Sequence, residues 1–246
     1  MAERKLYEAL GVGPGVTALV GAGGKTSAML KMARELRLAG RTVAVTTTTH
    51  ILPPPEALCG PMLFDPDGEA LDGAARRGIC AVGKSLDARG KVEGVDEEMI
   101  YRLAARFEYV LAEADGSRRM PCKVPAPHEP VIPRMARRVI GVMGLSALGR
   151  PLEEACFRLE IARARLDAPP GAIITAHTFA RIAAAPWGLQ RGVEGRAFTL
   201  LLNQSDACPE AAGAADICAA ALPGARVCLS ALRLCRWICV KEDAQC

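Results

Sequence analysis

The chain has 246 residues, half of them apolar and 24% charged, which is enough to bury a sizeable α/β core. Aromatic residues make up only 4% and the net charge is +4. That disfavours a stacking platform for single-stranded nucleic acid and suits one anionic ligand in a pocket.

Short apolar runs alternate along the chain with longer amphipathic stretches. Strands are expected at 16–20, 42–46, 79–82, 109–114, 138–143, 197–202 and 226–229. Helices are expected at 25–39, 67–77, 96–107, 157–166, 178–184 and 209–222. Several of the strands lack a period of two, as strands covered on both faces do. Repeated strand and helix imply right-handed crossovers. The expected fold is α/β: a three-layer, P-loop-like (Rossmann-type), mainly parallel sheet with helices on both faces, as a single domain over 1–246. The proline-rich segments 53–61 and 119–133 read as surface loops. The charged start MAERKLYEAL is not a signal peptide, and no window approaches the ~18 apolar residues of a membrane span. The expectation is a cytoplasmic protein with no nucleic-acid or membrane partner. None of the ten cysteines forms a CxxC pair, so they are expected as thiols without structural zinc. Cys235 and Cys239 stand at a helical spacing. The tail 233–246 carries an apolar stripe that can dock on the core or on a second copy, which leaves a homodimer open.

The first motif is GAGGKTS (21–27), between an expected strand and an expected helix. A glycine-rich turn of this kind points several backbone N–H groups at one spot, where the helix N-terminus adds positive partial charge. Gly21, Ala22, Gly23, Gly24, Lys25, Thr26 and Ser27 are therefore candidate nucleotide-binding residues. Lys25 would neutralise β- and γ-phosphate charge, and Thr26 would offer its hydroxyl to Mg²⁺. The loop reads GxxGKT, two residues shorter than GxxxxGK[ST], and resembles the loops of ATP-dependent ligases that build cell-wall precursors.

The expected second strand ends in TTTTH (46–50), whose hydroxyls suit ligand contacts or bonds to their own backbone. Thr48 and His50 are candidates there, His50 as proton carrier, ligand or surface residue. The fourth strand runs into YVLAEADGSR (109–118). Ligands gather at the carboxyl ends of parallel strands, so Glu113 and Asp115 should face the crevice that the glycine loop faces. Asp115 is assigned to Mg²⁺ and Glu113 to placing water, with the two roles exchangeable. Beyond them, Arg118, Arg119, Lys123 and His128 suit an oxyanion, Cys122 is a thiol among cations, and Glu129 sits in a proline-stiffened HEPVIP segment. Late in the chain, FTLLLNQSDA (198–207) holds NQSD, which resembles the NKxD element of guanine-nucleotide-binding proteins. Asn203 and Asp206 are the candidate base contacts; the other reading is a turn in which Asp206 caps the next helix.

Taken together and in order, GAGGKTS, VTTTTHI, EADGSRRMPCKVPAPHEPVIP and LLNQSD resemble the YqeC family over about residues 10–240. The chain departs from that pattern at Gln204, where the family is expected to have lysine, and over 177–192. The resemblance implies an accessory protein for selenium-dependent molybdenum hydroxylases, acting in maturation of the molybdenum cofactor. The expected ligands are then ATP or GTP with Mg²⁺ and the molybdenum cofactor, and the expected partner is a hydroxylase client. Hydrolysis of the nucleotide is the leading reading. A carrier that binds the cofactor without turnover, and an ATP-dependent ligase or kinase acting on a small molecule, are the alternatives.

Overall fold

The computed structural model describes residues 4–243. The first three residues of the charged start, and the last three of the tail with Cys246, lie outside the described residues. In chain order the elements that matter here are β1 (Gly15–Gly21), α1 (Lys25–Leu38), β2 (Val43–Thr47), β3 (Leu63–Phe64), α2 (Gly68–Arg77) and β4 (Ile79–Gly83). There follow α3 (Glu97–Ala104), β5 (Tyr109–Glu113), β6 (Ala136–Gly144), α4 (Leu159–Leu166), α5 (Ala176–Ala184), β7 (Ala197–Asn203), α6 (Ala211–Ala221), β8 (Arg226–Ala231) and β9 (Arg236–Lys241). Among the described residues these strands form one nine-stranded sheet in the order β9-β8-β7-β6-β1-β5-β2-β4-β3. Neighbours run parallel throughout, except for the antiparallel pair β8–β9.

The missing period of two has its cause in the two cores. Val16, Ala18 and Val20 of β1 pack with Leu71 of α2, Ile100 and Leu103 of α3, Phe179 of α5 and Cys218 of α6. Leu19 of β1, Val43 and Val45 of β2, and Leu111 of β5 pack on the other face with Met29, Met32 and Leu36 of α1. Helices thus cover both faces, and both sets of side chains must be apolar. Helix starts follow local chemistry. Asp67 and Asp96 precede α2 and α3 and accept the backbone N–H of Ala70 and Met99.

Two expectations about organisation change. Segment 119–133 is not a surface loop: Cys122, Lys123, Val124, Ala126 and Glu129 are buried. It straps the carboxyl end of the sheet. The Pro121 carbonyl accepts the Gly144 N–H at 2.8 Å, and the Val131 N–H donates to the Ala114 carbonyl at 2.9 Å. Cys122–Lys123 also pairs with Cys156–Phe157 in a short parallel ribbon. The tail forms a strand, not a helix, over Arg236–Lys241, with alternating exposed and half-buried side chains. Cys239 therefore faces Cys228 across the β8–β9 pair instead of Cys235 along a helix. Among the described residues no helix is long and apolar enough to cross a membrane.

Candidate functional site

Strand register builds the site. Leu19 of β1 lies beside Glu113 at the end of β5. Two residues past each, the Gly21 N–H donates to Asp115 Oδ2 at 2.9 Å. The glycine loop leaves β1 at this point and α1 begins at Lys25. Gly23 has φ +83°, and a Cβ there would run into the backbone nitrogen of Gly144. Gly24, the residue preceding α1, would likewise drive a Cβ into the Asn203 amide. These close approaches explain the glycines. α1 has no side-chain cap and no acidic residue in its first turn, unlike α2 and α3. Its first amides are left to other acceptors.

Lys25 and Asp115 are 3% and 1% exposed. The Lys25 ammonium donates to the Gly21 carbonyl at 2.7 Å and lies 3.1 Å from Asp115 Oδ1 and 3.6 Å from Glu113 Oε1. Thr26 donates its hydroxyl to Glu113 Oε2 at 2.6 Å. Asp115 Oδ1 is buried and has no aligned hydrogen bond; its closeness to Lys25 is electrostatic. Burial pulls the Lys25 ammonium down, but the charges of Asp115 and Glu113 outweigh it and leave the group above an ordinary lysine. Burial pushes Glu113 up, against the pull of Lys25 and the Thr26 hydrogen bond. The site as it stands holds a lysine in reserve between two carboxylates, an orphaned carboxylate oxygen, a hydroxyl and an uncapped helix start. These are the donors that a Mg²⁺–polyphosphate needs, and they fit one.

A crevice of about 460 Å³ opens beside Gly24 and Ser27. Asn203, Gln204, Asp206, Lys31, Leu232 and Arg233 line its far side. Its size suits a nucleoside. Asn203 is not free to read a base. Its amide nitrogen donates to the Gly23 carbonyl at 2.8 Å, and its oxygen accepts from Ser230 Oγ at 3.0 Å and the Leu232 N–H at 3.3 Å. It braces the glycine loop. Asp206 is exposed and does not cap α6, whose preceding residue is Glu210. Gln204, at φ +65°, accepts from Ser146 Oγ at 2.6 Å. Ser230, Leu232, Lys31 and Arg233 were not expected at the site. The rule that ligands sit past carboxyl ends of parallel strands, applied to β8, points to 230–233.

The remaining candidates divide. Lys123 is fully buried, with its ammonium 2.6 Å from the Gly116 carbonyl, 3.2 Å from Asp115 and 3.1 Å from Glu129. It neutralises carboxylates and does not meet a ligand directly. Glu129 also accepts from the Ala126 N–H and faces Arg158 at 3.3 Å. Burial pushes Glu129 up, but the Ala126 N–H and Lys123 outweigh it and hold the carboxyl below its usual value. Cys122, expected as a thiol among cations, is a buried thiol: the neighbouring Cys156 thiol and its burial push it well above an ordinary thiol. Arg118, Arg119 and His128 are exposed on the strap. Thr48 binds the strap through its hydroxyl to the Val131 carbonyl at 2.6 Å, and His50 is exposed on a short ribbon with Glu93.

The sequence model of the family described as YqeC protein matches residues 17–160, which include the glycine loop, both carboxylates and the strap. A curated relative, the uncharacterized protein YqeC of Escherichia coli (strain K12), is 44% identical over 140 residues. That alignment covers 55% of this chain and 54% of the relative, so the chain spans about half the length of the curated relative it matches.

Proposed function

We propose, from the premise that this chain belongs to the YqeC family, that it binds and hydrolyses a nucleoside triphosphate with Mg²⁺ in the maturation of the molybdenum cofactor of selenium-dependent molybdenum hydroxylases. The resemblance supports the molybdenum-cofactor part. The nucleotide part is carried by one observation: Lys25, buried between Asp115 and Glu113, at the uncapped start of α1. In this reading the amides of 21–26 and the Lys25 ammonium hold the β- and γ-phosphates. Thr26 and Asp115 would hold Mg²⁺, which supplies charge neutralisation at the transferred phosphoryl group. Glu113 orients water, Asn203 keeps the loop in shape, and Asp206 lies where a base would sit.

Calorimetric titration with Mg–ATP and Mg–GTP, together with phosphate release, tests this. One of the two should bind, and Lys25→Ala should abolish release. Because that variant strands two buried carboxylates, Thr26→Val is the partner experiment. It should keep the fold and lower Mg²⁺-dependent turnover roughly tenfold or more. Flat titrations with both nucleotides would remove the proposal. A carrier without turnover is the second reading, favoured by the commitment of Glu113 to Thr26. Binding with no phosphate release selects it.

A further inference from the structure

Past Asp115, the strap and the start of α4 gather positive charge around one aromatic ring. The Arg118 and Arg158 guanidinium groups lie 5.4 and 4.8 Å from the centroid of Phe157, and the Lys123 ammonium lies 5.7 Å from it. Lys123 is spent on carboxylates and a carbonyl. The two arginines are not spent in the same way. Among the described residues Arg118 makes no ion pair and is exposed. Arg158 meets Glu129 through one terminal nitrogen at 3.3 Å, while its Nε is buried with no hydrogen-bond partner. Arg158 stands at φ +70° immediately before α4, a helix of eight residues that has no side-chain cap.

Like charges gathered at one ring repel, and contact with a ring face recovers only about 0.5–1 kcal/mol each at exposed sites. A buried guanidinium N–H without an acceptor adds a further cost. An oxyanion held by the outer nitrogens of the two arginines would offset the repulsion. Guanidinium forks match tetrahedral oxyanions, and Phe157 gives both groups a common ring to lie over.

We propose that Arg118 and Arg158, stacked on Phe157, form an oxyanion site separate from the nucleotide seat. Its ligand is a phosphate-like dianion, either free or carried as a phosphomonoester on a second substrate. The site is one lysine away from the proposed metal carboxylate, since Lys123 bridges Asp115 and Glu129. Only its role as a second-substrate site rests on the nucleotide reading; the binding does not.

The test is calorimetry of the full chain, without nucleotide, against inorganic phosphate, molybdate and phenyl phosphate. The unaltered protein should bind at least one of them. Arg118→Gln/Arg158→Gln should weaken that binding roughly tenfold or more. Arg118→Gln alone, at an exposed residue, should weaken it in the same direction, and covers the case in which the double variant does not fold. Equal binding of phosphate and molybdate marks a free ion; tighter binding of phenyl phosphate marks an organic carrier. Mg–nucleotide titration of the same variants should be unchanged. Oxyanion binding that depends on the arginines in a protein that binds no nucleotide would leave this site standing and remove the nucleotide reading. No oxyanion binding, or binding equal in the unaltered protein and Arg118→Gln, overturns the inference.

Discussion

Lys123 is among the largest of the fully buried side chains, and it is charged. Its ammonium ends between Asp115 and Glu129. Removing one partner of such an array leaves the others buried without compensation. Lys123→Met should therefore lose about 3–5 kcal/mol of stability, read by urea unfolding. Glu113 makes the opposite kind of statement. Its carboxyl is held above its ordinary value of 4.5, so the native protein keeps a proton that the unfolded chain has lost. The stability owed to Glu113 therefore falls as pH rises through the window above 4.5. Glu129, held below 4.5, contributes stability above that value and loses it as pH falls. Glu113→Gln should abolish the loss above 4.5 and leave the acid-side loss in place, measured by unfolding titrations between about pH 3 and 7. The convergence of Lys25, Glu113 and Asp115 was legible because residue type and strand-end position agree. The fate of Cys122 and Lys123 was not, because adjacent residues in an extended segment face opposite ways and sequence does not say which side is closed. Asn203 lines the crevice, but its amide serves the glycine loop, a partnership across 180 residues that no local pattern carries.

At the scale of elements, the glycine loop and the strap constrain each other. Gly144 touches the would-be side chain of Gly23 and donates its N–H to Pro121. Gly23→Ala carries about 1–2 kcal/mol for an alanine at positive φ before any clash with Gly144. It should push the loop off β6 and remove nucleotide binding, with a lowered unfolding midpoint. A variant that kept full affinity would show that the loop has room that the backbone denies. The seven central strand assignments and the six helices were legible from apolar runs and amphipathic stretches. The strap and β9 were not. Prolines 121, 125 and 127 mark the strap as irregular, and irregular segments are ordinarily exposed. Here the strap's polar groups are satisfied by the sheet end, Ser117 and the 156–157 ribbon, which permits burial. In β9 the continuous apolar run 237–240 fits either a strand or a helix over so short a stretch.

At the scale of the molecule, two openings compete for attention, and direction separates them. The larger, about 1150 Å³, lies at the amino ends of β6, β7 and β8. Two of its arginines, Arg138 and Arg226, are already answered by Asp243 at 2.9 and 2.6 Å, and the third, Arg196, by backbone carbonyls. The smaller opens at the carboxyl end, where the crossing of the chain from β1 to either side leaves room beside the glycine loop. β1 stands fifth of nine strands, bonded in parallel to β5 and β6 and roofed on both faces. The wall from which the proposed phosphate seat is hung therefore belongs to the part of the protein that opens last. In deuterium labelling, the amides of β1 and β5 should exchange only through global unfolding, and those of β3 and β9 at the margins should exchange early. A bound polyphosphate should slow the first turn of α1 and leave β1 at its unaided rate. The floor is already as slow as the whole molecule allows.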